Sequence, residues 1–181
     1  AATVGAYNHE RWPGKKSWYM QGGYADIPGI KMTTNTVSVF ASIKRIGNDD
    51  WSALYSFRGT APNKFALHVL ANGELRYMFT DGGWDWGHST GLYVPSNEWC
   101  SVGMAIGASS ATFYLQTENG TYSTHTFSHA HSEISFNSTG SIGRDYASSG
   151  RRFKGYMGTF MLFNQTMDET DFRSFAKMNA K

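Results

Sequence analysis

Period-two alternation of apolar and polar residues is the dominant pattern in this chain. In the stretch "TVSVFASIKRI", the odd-numbered residues of 37–43 are all apolar, and Ser38, Ser42 and Lys44 lie on the opposite face. Because successive side chains of a β-strand point to opposite faces of its sheet, this pattern predicts a strand whose apolar face is buried.

Two further stretches predict strands in the same part of the chain. In "WSALYSFR", alternation places Trp51, Ala53, Tyr55 and Phe57 on one face, against polar residues. In "NEWCSVGMAIG", an apolar run begins at Trp99. Short strands of this kind must bury their apolar faces against a second layer.

Two Asn-Gly pairs mark hairpins. "KFALHVLANGELRYMFT" alternates on both sides of Asn72 and Gly73, which predicts a two-residue type I′ turn. "ATFYLQTENGTYSTHTF" repeats the arrangement at Asn119 and Gly120. Many short antiparallel strands with closely spaced turns predict an all-β fold, an antiparallel two-sheet β-sandwich (jelly roll).

The end of the chain is the part with a helical pattern. Asp168 can act as the N-cap, Asp171 can complete an acidic variant of the capping box, and Met167 can pack on Phe172. Apolar residues at 172, 175 and 176 then form a stripe on one helix face. We expect a short C-terminal helix docked on the sandwich.

The alternating stretches also predict which side chains form the core. "FKGYMGTFMLF" contains Gly155 and Gly158, which suggest a bend or bulge. Cys100, the only cysteine, is expected to be a buried and inert small apolar residue, and an internal disulfide is excluded. The predicted core comprises Val37, Val39, Ile43, Phe65, Leu67, Val69, Leu75, Tyr77, Phe113, Leu115, Met161 and Phe163.

Composition limits the classes of function. The chain has 181 residues, of which 40% are hydrophobic and 17% charged, and we expect residues 1–181 to form a single domain. A net charge of +2 indicates neither nucleic-acid binding nor an anionic membrane surface, and no apolar run is long enough to insert into a bilayer. Sequons at Asn119, Asn137 and Asn164 favour an extracellular or secreted protein.

Three stretches together resemble a known family. These are "GYADIPGIKMTTNTVSVFASIK", "NEWCSVGMAIGASSATFYLQTENG" and "FKGYMGTFMLFNQTMDETDF", and in that order they are similar to the hallmarks of the laminin-G-like group of concanavalin A-like jelly rolls. The resemblance extends from about Tyr24 to Phe175. It implies the fold but not one function, since the family contains lectins, adhesion modules, enzyme accessory domains and hydrolases.

No pair of catalytic carboxylates is evident. The hydrolases of the family resemble one another by a Glu-x-Asp-x-x-Glu strand, which this chain lacks. The Arg-rich and Tyr-rich strand motifs of related polysaccharide lyases are also missing. The acids of "NDDW" are explained by solvation on a turn, and those of "DETD" by helix capping. We therefore assign no catalytic residue.

The stretch "DGGWDWGHST" is the first candidate ligand site. It follows a predicted strand, so we expect a rim loop in which Trp84 and Trp86 form one flat apolar surface. The apolar face of a sugar ring would stack there, while Asp85 and His88 would bond its hydroxyl groups. In the alternative interpretation, a tryptophan folds back over the edge of the core.

The stretch "GRDYASSGRRFK" is the second candidate ligand site. Arg144, Arg151 and Arg152, with Tyr146, surround a small-residue turn between two predicted strands. Arginine forks suit sulfate and carboxylate groups. A solvated basic loop is the alternative.

Histidines offer a weaker candidate for metal binding. His125, His129 and His131 in "HTFSHAHSE" share parity, which could place three imidazoles on one face. The pattern is short and Ser128 suggests a turn, so we interpret the stretch as exposed and polar. His68 is interpreted as a strand residue on the less apolar face of its strand.

A calcium ion is possible by family resemblance, because many laminin-G-like domains hold one at the sandwich rim. The loop candidates are Asp49, Asp50, Asp81, Asp85 and Asp145, and none of them is assigned as a ligand.

These observations favour a non-catalytic, lectin-like domain that binds an oligosaccharide or polysaccharide glycan through rim-loop aromatics. An extracellular adhesion or assembly domain with protein partners is the first alternative. A glycan-active hydrolase or lyase is the second.

Overall fold

Twelve β-strands and one helix make up the regular structure of the described residues. The computed structural model describes residues 5–8, 16–47, 49–57, 64–80, 89–145 and 150–179. The elements are β1 (Gly5–Asn8), β2 (Lys16–Gln21), β3 (Ala25–Thr34), β4 (Val37–Arg45), β5 (Ser52–Phe57), β6 (Lys64–Val69), β7 (Leu75–Thr80), β8 (Trp99–Ile106), β9 (Ser110–Thr117), β10 (Tyr122–Ser128), β11 (Ile134–Ile142), β12 (Lys154–Phe163) and α1 (Glu169–Met178).

The strands form two antiparallel sheets that pack face to face. The seven-stranded sheet has the order β1-β2-β12-β4-β8-β9-β10, and the five-stranded sheet has the order β3-β11-β5-β6-β7. The main core lies between them and draws buried residues from both. This confirms the predicted antiparallel sandwich. In the described part of the chain, no helix is long and apolar enough to cross a membrane.

Ten of the twelve predicted core residues lie in the core between the sheets. Met161 and Phe163 are the exceptions, because they are partly buried and face α1 on the outer side of the seven-stranded sheet. The register between β12 and β4 shifts between Met157 and Phe160. An extra residue in a strand reverses the parity of everything after it, so Phe160 and Leu162 point inward instead.

β4 is buried on both faces. Its apolar face points into the core as predicted, but Ser38 and Ser42 on the opposite face are also buried. The Ser38 hydroxyl donates to the carbonyl oxygen of Gln165 at 2.7 Å and accepts from the backbone N–H of Met167 at 2.7 Å. These bonds hold the segment that leads into α1 against the outer face of the sheet.

A register shift also divides the predicted face of β5. The shift falls between Ala53 and Tyr55, so Tyr55 and Phe57 lie in the core while Ala53 pairs with His68 on the other face. Trp51 precedes the strand and has a φ of 54°. The prediction of one continuous face from Trp51 to Phe57 was therefore wrong.

Both predicted hairpins are present, but their turns differ from the prediction. Gly73 has a φ of 95° while the φ of Asn72 is negative, and the Gly73 N–H donates to the Leu70 carbonyl at 2.8 Å. A type I′ turn needs positive φ at both central residues, and here only the glycine has it. The turn is therefore a type I turn followed by a left-handed glycine. The same geometry occurs at Asn119 and Gly120, where the glycine φ is 91°.

The C-terminal helix is capped and docked as predicted. Asp168 accepts from the backbone N–H of Asp171 at 2.8 Å, and the Asp171 side chain accepts from the N–H of Asp168 in return. Met167 and Phe172 both pack over Gly103 of β8, where an added Cβ would lie 2.8 Å from each. A residue without a side chain at this position therefore lets the helix approach the sheet.

Cys100 is buried in the core between the sheets, as predicted. Burial raises the pKa of its thiol above the ordinary value, which disfavours the reactive thiolate.

Tyr55 provides a test of the core packing. Its hydroxyl is buried beside Gly140 and has no hydrogen-bond partner among the described residues, and burial raises its pKa. Since an unpaired buried hydroxyl is unfavourable, we expect Tyr55→Phe to raise the free energy of unfolding by about 1 kcal/mol. Tyr77→Phe is the matched control, because the Tyr77 hydroxyl bonds to His131 at 2.9 Å. In urea unfolding, the control should lose stability, and a comparable loss in Tyr55→Phe would contradict the assignment.

Candidate functional site

The tryptophan stretch lies between two described flanks. Trp84, Asp85, Trp86 and His88 fall outside the described residues. On one side Thr80 ends β7 and pairs with Lys64, and on the other side Ser89 bonds to Glu74, next to the first residue of β7. The two flanks thus lie at opposite ends of β7, a separation of roughly 20 Å at the usual rise per strand residue.

Glu74 holds the second flank. One oxygen of its buried carboxylate accepts from the Ser89 hydroxyl and from the Gly91 N–H at 3.2 Å, and the other accepts from Arg76 at 2.9 Å. Burial opposes ionisation of the Glu74 carboxyl, but these hydrogen bonds and the Arg76 charge outweigh it, so the pKa is lowered. The carboxylate therefore fixes the point at which the chain rejoins the described fold.

The segment after this flank continues beside β7. The Leu75 N–H donates to the Leu92 carbonyl at 3.0 Å, and Tyr93 pairs with Glu74. Leu92 and Val94 enter the core, so Tyr93 points to the opposite side, where its side chain is 51% exposed. Tyr93 is thus an exposed aromatic ring on the outer face of the five-stranded sheet.

A buried contact between a histidine and a carboxylate lies on the same face, two strands away. His68 Nε2 lies 3.4 Å from Asp145 Oδ2, and both side chains are fully buried. The Arg151 guanidinium approaches the same oxygen at 3.2 Å and lies over Trp51, 5.9 Å from its ring centroid. The Trp51 ring in turn meets His68 edge-on at 5.7 Å. Asp145 therefore ties the arginine loop to the sheet.

The two regions are neighbours on one face of the sheet. His68 and Arg76 are direct partners across β6 and β7, and their side chains share the outer face. Directly opposed side chains have Cβ atoms about 5 Å apart. The contacts of Ser89, Glu74 and Arg76 therefore lie beside the contacts of His68, Asp145 and Arg151. We call this region, with Trp51 and Tyr93, the outer β5–β7 surface.

Arg144 and Arg152 adjoin this region but have protein partners of their own. Arg144 Nη2 contacts both oxygens of Asp26, at 3.1 and 3.0 Å, and the guanidinium stacks 3.5 Å from the Tyr24 ring centroid. Arg152 donates to the Gly22 carbonyl at 2.9 Å. Both residues thus fasten the loop to the start of β3. Tyr146 lies outside the described residues.

Each described candidate for calcium has a partner within the protein. Asp49 pairs with Lys154 at 2.7 Å, Asp50 accepts from the Ala71 N–H at 3.3 Å, and Asp145 is in the buried pair. Asp81 and Asp85 lie outside the described residues. Over the described part of the chain, no group of three or more metal-ligating residues is present.

The histidine stretch is less exposed than the sequence interpretation expected. His131 is buried, not exposed, and its ring nitrogens contact Tyr77 Oη at 2.9 Å and the Gly107 carbonyl at 2.8 Å. His125 and His129 are half-buried. His68 is on the less apolar face as interpreted, yet that face is covered and the side chain is fully buried.

Sequence reasoning missed most members of the outer β5–β7 surface as site residues, among them Glu74, Arg76, Tyr93 and Trp51. A local signal existed for two of them, because Glu74 and Arg76 in "GELR" have the parity opposite to the core residues of β7. The position of Trp51 depends on the register shift in β5, and that of Tyr93 on pairing with Glu74.

An antiparallel sandwich with a helix on one outer face is an architecture of binding domains and enzymes alike. The chain belongs to the laminin G-like family of the concanavalin A-like lectin/glucanases superfamily, whose family model matches residues 20–171. Among curated protein sequences, none matches the chain.

Solved structures with the same fold are distant in sequence. Domain 4 of AbnA, a GH43 extracellular arabinanase from Geobacillus stearothermophilus in complex with arabinotriose, is 14% identical, with a TM-score of 0.73 over 97% of this chain and 82% of that one. A heptameric SAP-like pentraxin from Limulus polyphemus is 13% identical, with a TM-score of 0.58 over 88% and 74%. Mouse laminin alpha1 domains LG4-5 are 15% identical, with a TM-score of 0.60 over 84% of this chain and 42% of that chain.

Proposed function

We propose that this protein is a non-catalytic, lectin-like domain that binds glycans on the outer β5–β7 surface. In this proposal Trp84 and Trp86 supply stacking surfaces, and Asp85 and His88 bond sugar hydroxyls. Arg144, Tyr146, Arg151 and Arg152 border the site and recognise polar or acidic substituents.

The observation that supports this proposal most is the polar network on the outer face. The sequence gives two separate candidate segments, one before Ser89 and one between Arg144 and Arg152. Glu74 holds Ser89, and Asp145 contacts His68 and Arg151, so one end of each segment is held on the same face of one sheet. Rigid anchoring of recognition segments lowers the entropy lost when a ligand binds.

The chemistry of the described residues also suits a glycan. Tyr93 offers an exposed ring against which the apolar face of a sugar can pack, and Arg76 and Arg151 are partly exposed donors for hydroxyl or carboxylate oxygens. The arabinanase domain in complex with arabinotriose has this fold, which supports a glycan as the class of ligand.

We further propose an extracellular location. Two of the three sequon asparagines, Asn137 and Asn164, are exposed and lie away from the groove described below, as glycosylation would require. Two of the similar solved structures are an extracellular arabinanase domain and laminin domains.

A glycan array probed with and without EDTA tests the function and its dependence on calcium. For the glycan that binds most tightly, Tyr93→Ala should weaken binding by about thirtyfold or more. This corresponds to the binding free energy of about 2 kcal/mol that is lost when a hot-spot residue is truncated. The melting temperature of the variant should stay close to that of the parent. Trp84→Ala and Trp86→Ala should also weaken binding, and the parent's tryptophan fluorescence should shift on titration.

Trp18→Ala is the matched control, because Trp18 is a 37% exposed aromatic residue on the other sheet. It should bind like the parent. Normal glycan binding by Tyr93→Ala, Trp84→Ala and Trp86→Ala would place the site elsewhere. If both tryptophan variants unfold, the Trp84 and Trp86 rings contribute to core packing and not to ligand binding. If the parent binds no glycan on the array, the adhesion or assembly alternative is favoured.

A further inference from the structure

We propose a second glycan-binding site on the opposite side of the sandwich, in a groove beside the C-terminal end of α1. The groove has a volume of about 220 Å³ and lies on the outer face of the seven-stranded sheet. Its lining includes Ser42, Ser101, Gln116, Trp99, Asn119 and Asn179. None of these residues belongs to the outer β5–β7 surface.

The floor of the groove is a row of three polar side chains. Ser42 of β4 pairs with Ser101 of β8, and Ser101 pairs with Gln116 of β9, so the three side chains lie on adjacent strands about 4.8 Å apart. No hydrogen bond joins any of these side chains to another residue that the structure describes. Their hydroxyl and amide groups are therefore available to a ligand.

The walls of the groove are held in place by the fold. Asn179 caps α1, donates to the Phe175 carbonyl at 2.7 Å and accepts from the Thr159 hydroxyl. Asn119 accepts from Thr117 at 2.6 Å and from the Thr121 N–H at 2.9 Å. A groove between such fixed walls loses little conformational entropy on binding.

The lining indicates the class of ligand. Lysine and arginine are absent from the described lining, and Glu118 adds a carboxylate at the edge, so an anionic ligand is disfavoured. The row of serine hydroxyls and a glutamine amide can both donate and accept hydrogen bonds, and the Trp99 indole supplies an apolar wall. A neutral, polyhydroxylated ring such as one unit of an uncharged glycan fits this combination.

Two sites on opposite faces would let one domain hold two glycan chains or two parts of one chain. Linked sites raise the overall affinity for a polymer well above that of either site. This second site shares the ligand class of the proposed function but is independent of it, since the two surfaces have no residue in common.

Nitrogen-15 NMR titration with arabinose, xylose, glucose and galactose tests the proposal. At least one sugar should shift the Gln116 side-chain amide and the Ser42 and Ser101 backbone amides in a saturable way. The triple variant Ser42→Ala, Ser101→Ala, Gln116→Leu should weaken that binding about tenfold or more, because several neutral hydrogen bonds are lost. Its melting temperature should change little, since these side chains have no hydrogen-bond partners among the described residues.

Gln21→Leu is the matched control, because Gln21 is exposed on β2 of the same sheet and lies outside the groove. Gln116→Leu alone serves if the triple variant does not fold. The proposal is overturned if none of the four sugars shifts these amides, if the groove variants bind like the parent, or if galacturonate binds more tightly than galactose. Tyr93→Ala should leave these shifts unchanged, so failure at one site is distinguishable from failure at the other.

Discussion

Replacing Phe172 with alanine should lower the free energy of unfolding by about 3–5 kcal/mol, the usual cost of truncating a fully buried aromatic residue. Phe172 has no solvent exposure and stacks on Tyr114 with ring centroids 5.1 Å apart. It also contacts the Phe40 ring at 5.7 Å. The cavity left by alanine would lie between α1 and the sheet, where neither element can collapse easily.

Ser174→Ala is the control for this measurement, because Ser174 is exposed on the same helix and alanine favours helix formation. Chemical denaturation should show a change within about 0.5 kcal/mol for the control. A similarly small change for Phe172→Ala would mean that the helix contributes nothing to the folded state.

Replacing Glu74 with alanine should cost about 3 kcal/mol, since hydrogen bonds to a buried charged group contribute more than neutral ones. The substitution removes the acceptor for Ser89, Gly91 and Arg76 together. It also releases the flank of the tryptophan stretch, so we expect weaker glycan binding along with lower stability. Arg173→Ala, which breaks the exposed pair with Glu169, is the control and should cost less than about 1 kcal/mol.

The contribution of Glu74 should depend on pH. Its pKa in the folded protein lies below the ordinary value of 4.5, so the ionised form is the one that the fold stabilises. The contribution is therefore complete above that value and is lost as the pH falls through the pKa of the folded state. Comparing the parent with Glu74→Gln across this range should show the stability difference shrinking on acidification. A difference that stays constant with pH would contradict the assigned role of the carboxylate.

Several features followed from the sequence because they depend on local chemistry. The capping box of α1 needs only Asp168 and Asp171 three residues apart, and both hairpins need a glycine that tolerates positive φ. The turn type did not follow, because Asn72 and Asn119 fit either turn and the choice depends on how the flanking strands pair. Met161 and Phe163 were assigned to the wrong face because a bulge reverses parity without altering the composition of the strand.

The candidate site was predictable in part. Sequence reasoning selected the segments of Trp84 and Arg151 from their residue types, and it had no means of placing their described flanks on one face. Ser89 and Asp145 share that face because β6 and β7 set His68 opposite Arg76, and because Asp145 reaches across to His68 from another strand connection. Residues such as Tyr93 and Glu74 acquire a role only through this arrangement.

The sequence by itself determined the class of fold, the positions of most strands, the C-terminal helix and the family, because alternation, turn residues and capping are read over a few neighbouring positions. Tertiary structure alone decided which polar faces are covered and which remain open. Ser38 and Ser42 lie on the same face of β4. The Ser38 hydroxyl donates to the Gln165 carbonyl in the segment before α1, whereas Ser42 lines a groove. That difference depends on contacts between residues more than a hundred positions apart, and burial of a polar group is favourable only where such a distant partner or a ligand satisfies it.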